Sequence, residues 1–248
     1  MISAINKSSC KALLERCPRL YIALLNLKRI GHWSKRWVVC KQTQITIEGF
    51  PRSSNSFARA AFMAAQPDKL RIATHVHSAA QVRESVRLGI PTMVLLRAPA
   101  DACLSLVALD YEISGVNAAD ISTEQATRTI IENLQAYERF YRDTLKVYDS
   151  IVIAEFSIVT SHYAQIIERM NQQYNTHFYT YINSPENDAK LFDKGGFHLS
   201  PNPQRNEIKK AMRAILNSTA VQAALEPANH VYQELLAREQ KRYSCAPA

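Results

Sequence analysis

Gln44-Ile45-Thr46-Ile47-Glu48-Gly49-Phe50-Pro51-Arg52-Ser53-Ser54-Asn55-Ser56-Phe57 decides how this chain is read. Residues 44–48 alternate polar and β-branched side chains, the pattern of a strand, and Phe57 to Ala65 is rich in Ala, Phe and Met, the composition of a helix. Between them lie Gly49, Phe50, one Pro, one Arg and a run of small polar residues. A strand that turns into a helix through such a loop aims several backbone N–H groups and the positive end of the helix dipole at one spot. That spot suits phosphate or sulfate.

A nucleoside triphosphate site of the G-x-x-x-x-G-K-[ST] type is the first comparison. Gly49 and Ser56 fit it, but Ser54 replaces the second Gly and Asn55 replaces the Lys. The cation has moved to Arg52, three residues earlier. Arg52-Ser53-Ser54-Asn55-Ser56-Phe57 instead resembles the 5′-phosphosulfate loop of the sulfotransferase family, in the Arg-containing, Phe-ending form of its carbohydrate-type members. The resemblance implies that Arg52 contacts the 5′-phosphate and bridging oxygen, that Ser56 supplies a hydroxyl, and that Phe57 lies against adenine. Ser53, Ser54 and Asn55 complete the loop, with Ser54 in place of the family's Gly and Asn55 in place of its Thr or Ser. Gly there permits a positive φ, and Asn tolerates unusual backbone angles better than most residues.

A second element joins the first. Thr92 to Leu96 is a continuous apolar run, as in a buried parallel strand, and it ends in Arg97-Ala98-Pro99-Ala100-Asp101 with Ser105 beyond. The family's 3′-phosphate motif has an Arg at a strand end, a Pro two residues later and a Ser eight residues later, and Arg97, Pro99 and Ser105 keep both spacings. Arg97 offers a planar fork to a dianion, and Pro99 suits the first turn of a helix that carries Ser105. Strands and helices alternate along the rest of the chain. The expected fold is α/β, a P-loop-type three-layer arrangement with a parallel sheet flanked by helices and the ligand at the carboxyl ends of the strands.

Leu70 to Thr74 reads as a further strand, followed by Thr74-His75-Val76-His77 and a helix from Ser78 to Leu88. An imidazole titrates near neutral pH and suits removal of a proton from an attacking hydroxyl. The resemblance adds position, since a Thr-His or Ser-His stands 22 residues before the 3′-phosphate Arg in cytosolic sulfotransferases, the separation of His75 from Arg97. His75 is the base on this reading, with His77, Glu84 and Glu155 as rivals. The Gly- and Pro-punctuated loop from Gly195 to Arg205 resembles the late basic loop that closes over the 3′-phosphate, which points to Arg205 or Lys209. Further helices are expected over Thr123 to Tyr148, Ile158 to Tyr174 and Asn206 to Leu216, with Leu134 and Tyr141 in the core.

The chain has 248 residues, is 47% hydrophobic and 21% charged, and holds no repeat or low-complexity linker, which suits one α/β domain over residues 44–248. Its formal charge of +8 suits a polyanionic ligand. Five cysteines without a C-x-x-C pair read as reduced thiols of a cytoplasmic protein. Residues 1–43 form a helical, basic extension packed on the domain. Its Leu20 to Leu27 stretch is too short to span a bilayer, and its basic and Trp-bearing neighbours allow peripheral membrane contact.

The expected reaction is therefore transfer of a sulfuryl group from 3′-phosphoadenosine-5′-phosphosulfate (PAPS) to a hydroxyl or amine of a small molecule or glycan, leaving 3′,5′-adenosine bisphosphate (PAP). The expectation includes no metal and no nucleic-acid partner. Two other classes stay open on sequence: a P-loop kinase-like phosphotransferase with Arg52 in place of Lys, and a non-catalytic nucleotide- or nucleic-acid-binding module. Segments around Tyr111 to Ile121 and Tyr174 to Leu199 are expected to shape the acceptor pocket.

Overall fold

Alternation of Ile45, Thr46 and Ile47 produces a fully buried strand, β1 (Ile45–Gly49), at the centre of the computed structural model, which describes residues 14–28, 37–195 and 202–244. Three strands join it among the described residues: β2 (Ile72–Ala73), β3 (Thr92–Leu96) and β4 (Val152–Glu155). All pairings are parallel and the order is β2-β1-β3-β4. The register places Thr46 beside Thr92 and Gly49 beside Leu95. From β1 the chain goes first to one side and then to the other, so a crevice opens between the carboxyl ends of β1 and β3. The expected α/β parallel sheet flanked by helices is the observed architecture.

Successive strand residues point to opposite faces, which splits the core in two. Val94, Leu96 and Ile153 face α3 (Ala79–Arg87), α4 (Pro99–Ile113), α5 (Thr123–Leu145), α9 (Pro203–Met212) and α10 (Thr219–Ser244), through Val82, Val107, Leu134, Met212 and Leu235. Met93, Leu95 and Val152 face α2 (Asn55–Ala65) and α7 (Tyr163–Tyr174), through Phe62, Ile166 and Met170. A smaller cluster seats α1 (Pro18–Lys28) on the edge of the sheet, with Tyr21 and Ile22 against Val38, Val39, Ala73, Ala80 and Ile90.

Local signals fix several boundaries. Ser78 caps α3 by accepting from the Ala80 N–H, and Ser122 caps α5 by accepting from the Gln125 N–H. The strand expected over Leu70 to Thr74 is only two residues long. The helix expected from Ile158 to Tyr174 is divided at His162 into α6 (Phe156–Ser161) and α7. Asn183 Oδ1 accepts from the Tyr163 N–H at 2.7 Å and so starts α7 from a distant part of the chain. The region expected as a loop around Tyr174 to Leu199 contains α8 (Pro185–Gly195). Residues 196–199, the rest of the late loop to Pro201, and Arg29, Trp33, Lys35 and Arg36 lie outside the described residues.

Candidate functional site

Gly49 ends β1 where no side chain fits: a Cβ there would stand 2.8 Å from the Leu95 carbonyl oxygen and 2.9 Å from Leu95 Cβ. The loop that follows turns through two left-handed residues, Arg52 at φ 67° and Ser54 at φ 74°. Ser54 thus adopts at the family's Gly position the conformation that Gly would favour. Asn55 is already helical, and its Nδ2 donates to the Phe50 carbonyl at 3.0 Å, closing the loop beneath the helix start. No side chain caps α2. Ser53 Oγ, near the Tyr141 hydroxyl, and Asn55 Oδ1 are buried without a hydrogen bond of ordinary geometry. A bare helix start with strained backbone beneath it is the local architecture of an anion site.

Arg97 leaves the end of β3 on the other side of the crevice, and its Nη1 donates to the Arg52 carbonyl at 2.9 Å. Arg52 Nε in turn donates to the buried Ser105 Oγ at 3.1 Å. The structure therefore brings Arg52, Arg97 and Ser105 to one place. Phe156, at the end of β4, lies under the Arg97 guanidinium, 4.1 Å from Cζ to ring centroid. Two tyrosines from α5 brace this end of the sheet: the Tyr137 hydroxyl donates to the Arg97 carbonyl and the Tyr141 hydroxyl to the Leu95 carbonyl, each at 2.6 Å. Both phenols have pKa values raised by burial. Sequence placed Tyr141 in the core; the signal of the second role of both tyrosines is that a buried phenol needs a polar partner.

His75 follows β2 and meets the loop from the side. Its Nε2 lies 3.1 Å from Ser56 Oγ and its Nδ1 lies 2.9 Å from Thr74 Oγ1. The Trp37 ring packs on it with centroids 5.2 Å apart. His75 (φ 55°) and His77 (φ 52°) are both left-handed, which is costly for residues with a Cβ. Glu48 holds this segment in place. One carboxylate oxygen accepts from the Gly49 N–H, the other from the Val76 N–H at 3.0 Å and Gln81 Nε2 at 2.8 Å. Burial pushes the Glu48 pKa up, while His77 and these hydrogen bonds act in the opposite direction. His77 Nδ1 donates to the Gly49 carbonyl at 2.7 Å and lies 3.6 Å from Glu48, so it serves the strand end. Sequence reading missed Glu48, although a carboxylate in a strand at the centre of the fold is itself a signal.

Arg205 is held by a carboxylate. It is 4% exposed and its Nε donates to Glu112 Oε2 at 2.5 Å, with Asn202 also donating to Glu112. It thus ties α9 to α4, while its charge still reaches the site: burial first, then Arg205 and Arg97, lower the Arg52 pKa. Burial lowers the pKa of Arg97 as well, with Asp101 offsetting part of it. Lys209, one turn beyond Arg205, has its pKa lowered by burial and then by Arg97, Arg52 and Arg205. Charge is disfavoured on all three cations where they stand, with burial the largest cause for each.

The other sequence candidates have separate placements. Phe57 is buried, with Tyr181 and Phe192 rings each 6.2 Å from its own, so its faces are engaged within the core. Glu84 is bound by Arg87 through two hydrogen bonds on α3. Glu155 starts α6 and accepts from Ser157 Oγ at 2.7 Å. A shallow hollow of about 390 Å³, lined by Ala65, Tyr181, Ile182 and Lys190 among others, lies at the far end of α2 from Arg52. Among the described residues, no group of three His, Cys, Asp or Glu could hold a metal ion, and no helix is long and apolar enough to cross a membrane.

No family model matches the chain, and no curated protein matches it. Among solved structures, mouse sulfotransferase SULT7A1 complexed with PAP is similar at 10% identity, over 85% of this chain and 88% of that one, with a TM-score of 0.40. A likeness of that degree carries no weight for activity. The functional reading rests on the residues.

Proposed function

We propose that this chain is a PAPS-dependent sulfotransferase. The observation that carries the reading is the convergence of Arg52, Arg97 and Ser105 on the uncapped start of α2, with Lys209 close enough to be perturbed by both arginines. A nucleotide with phosphate at both its 3′ and 5′ positions matches a site with two adjoining anion positions. The α2 N–H groups, Ser56 and Arg52 suit the 5′-phosphosulfate, and Arg97, Ser105 and Lys209 suit the 3′-phosphate. The Arg52 side chain reaches to Ser105, so it stands between the two positions.

The donor supplies the sulfuryl group, whose S–O bond to the 5′-phosphate breaks as a bond to the acceptor oxygen or nitrogen forms. On this reading His75 takes the acceptor's proton. In the tautomer whose Nδ1–H donates to Thr74 Oγ1, the Nε2 lone pair faces the Ser56 side of the loop. Arg52 and the helix start stabilise the charge left on the departing phosphate. Trp37 covers one face of the imidazole and fixes its plane.

Calorimetric titration tests the assignment against its rivals. PAP should bind without a divalent cation and more tightly than ATP with magnesium, and labelled PAPS should pass its label to a hydroxyl or amine in an acceptor panel. Tighter, magnesium-dependent ATP binding would select the kinase-like alternative, and salt-steep oligonucleotide binding with no preference for PAP would select the non-catalytic one.

A further inference from the structure

The charge of this chain is concentrated in one stretch. Residues 1–43 hold nine Lys and Arg against the single Glu15, a net of +8 that equals the formal charge of the whole chain, while residues 44–248 hold 21 basic and 21 acidic side chains. The described part of that stretch is α1, the turn before it and residues 37–43. Tyr21 and Ile22 fix one face of α1 on the sheet edge. The other face presents Leu20, Leu24 and Leu27, at i, i+4 and i+7, which are 52%, 38% and 62% exposed. Arg16 and Arg19 are exposed beside them.

We propose that this face docks on an anionic lipid bilayer, with α1 lying in the plane of the surface. The helix is held by its buried side, so its leucines reach the acyl boundary without α1 leaving the domain, while the arginines stay at the level of the headgroups. Each half of the pattern argues for a bilayer over another occupant. Nucleic acid would use the cations and gain nothing from three leucines in a row. A second copy of this chain would use the leucines and bring two +8 segments together. The proposal is independent of the sulfuryl-transfer reading.

Co-sedimentation of the full-length chain with vesicles tests it. The chain should bind vesicles containing phosphatidylserine and leave vesicles of phosphatidylcholine alone unbound. Arg16→Gln with Arg19→Gln should weaken binding about thirtyfold. Leu20→Gln, Leu24→Gln and Leu27→Gln together should weaken it about tenfold or more. These side chains are exposed, so the thermal midpoint should stay unchanged; if the triple variant melts early, Leu27→Gln alone gives the same reading. Equal binding to both vesicle types overturns the proposal, as does binding that survives loss of the leucines. Tighter binding to a single-stranded oligonucleotide than to vesicles assigns the face to nucleic acid and overturns it. A dimer in solution that the leucine variants dissolve, with no vesicle binding, assigns it to a second copy and overturns it too.

Discussion

The two turns that meet at the crevice are built in opposite ways. The turn after β1 winds through left-handed Arg52 and Ser54 and enters an uncapped helix. The turn after β3 reaches α4 through Ala98 at φ −50° and ψ 132° and through Pro99 in the first helical turn, a sequence that suits its backbone without strain. The relaxed turn steadies the strained one, because Arg97 donates to the Arg52 carbonyl and Tyr141, which bonds Leu95 on β3, accepts from the Phe50 N–H of the first turn. The groups proposed for binding on the first loop thus depend on residues attached to the second.

This asymmetry sets the order of the mutational effects. Arg97→Ala should weaken PAP binding most, about a hundredfold or more, since it removes a phosphate ligand and the tie on Arg52 together. Arg52→Ala should cost less, and Arg97→Lys should recover only part of the loss because ammonium lacks the planar fork. Equal losses for the two alanine variants, measured by calorimetry, would break the claim that one turn supports the other.

Ser54→Gly should raise stability in denaturant unfolding by about 1 kcal/mol, relief of the left-handed cost outweighing the added freedom of the unfolded chain. The Ser54 side chain caps nothing that would be lost. A fall in stability or in PAP affinity would instead give the Ser54 hydroxyl a part in binding.

The smallest expected effect is on pH. The Lys209 pKa is lowered in the free protein by burial and neighbouring cations, and a bound dianion would raise it, so binding is coupled to proton uptake on the alkaline side. PAP affinity should fall about threefold as pH rises through that region, and Lys209→Gln should flatten the profile at the cost of affinity at neutral pH. A profile unchanged by the substitution would remove Lys209 from the site.

Sequence made the crevice legible because its two arginines sit beside strand ends, where loop chemistry is local. The same locality explains Ser78 and Ser122 as caps. What stayed hidden depends on partners far along the chain. Arg205 is recognisable as a cation near a helix start, but nothing nearby announces Glu112, 93 residues away, which engages it. The break at His162 goes with the bond from the Tyr163 N–H to Asn183, 20 residues on from Tyr163. Helix α10 carries Pro227 in its interior, a residue that argues against a helix locally and is outweighed by the burial of Val231 and Leu235. The shortness of β2 likewise follows from its edge position and from the left-handed backbone at His75.

Tyr137 and Tyr141 give α5 a reach beyond its own packing. The helix rests on α10 along one side and grips two carbonyls of the crevice on the other, so it links the far surface to the crevice. A lesion at Val231 or Leu235 that lets α5 slide would slacken that grip. Damage distant from any phosphate would then register as poorer nucleotide capture before the chain unfolds.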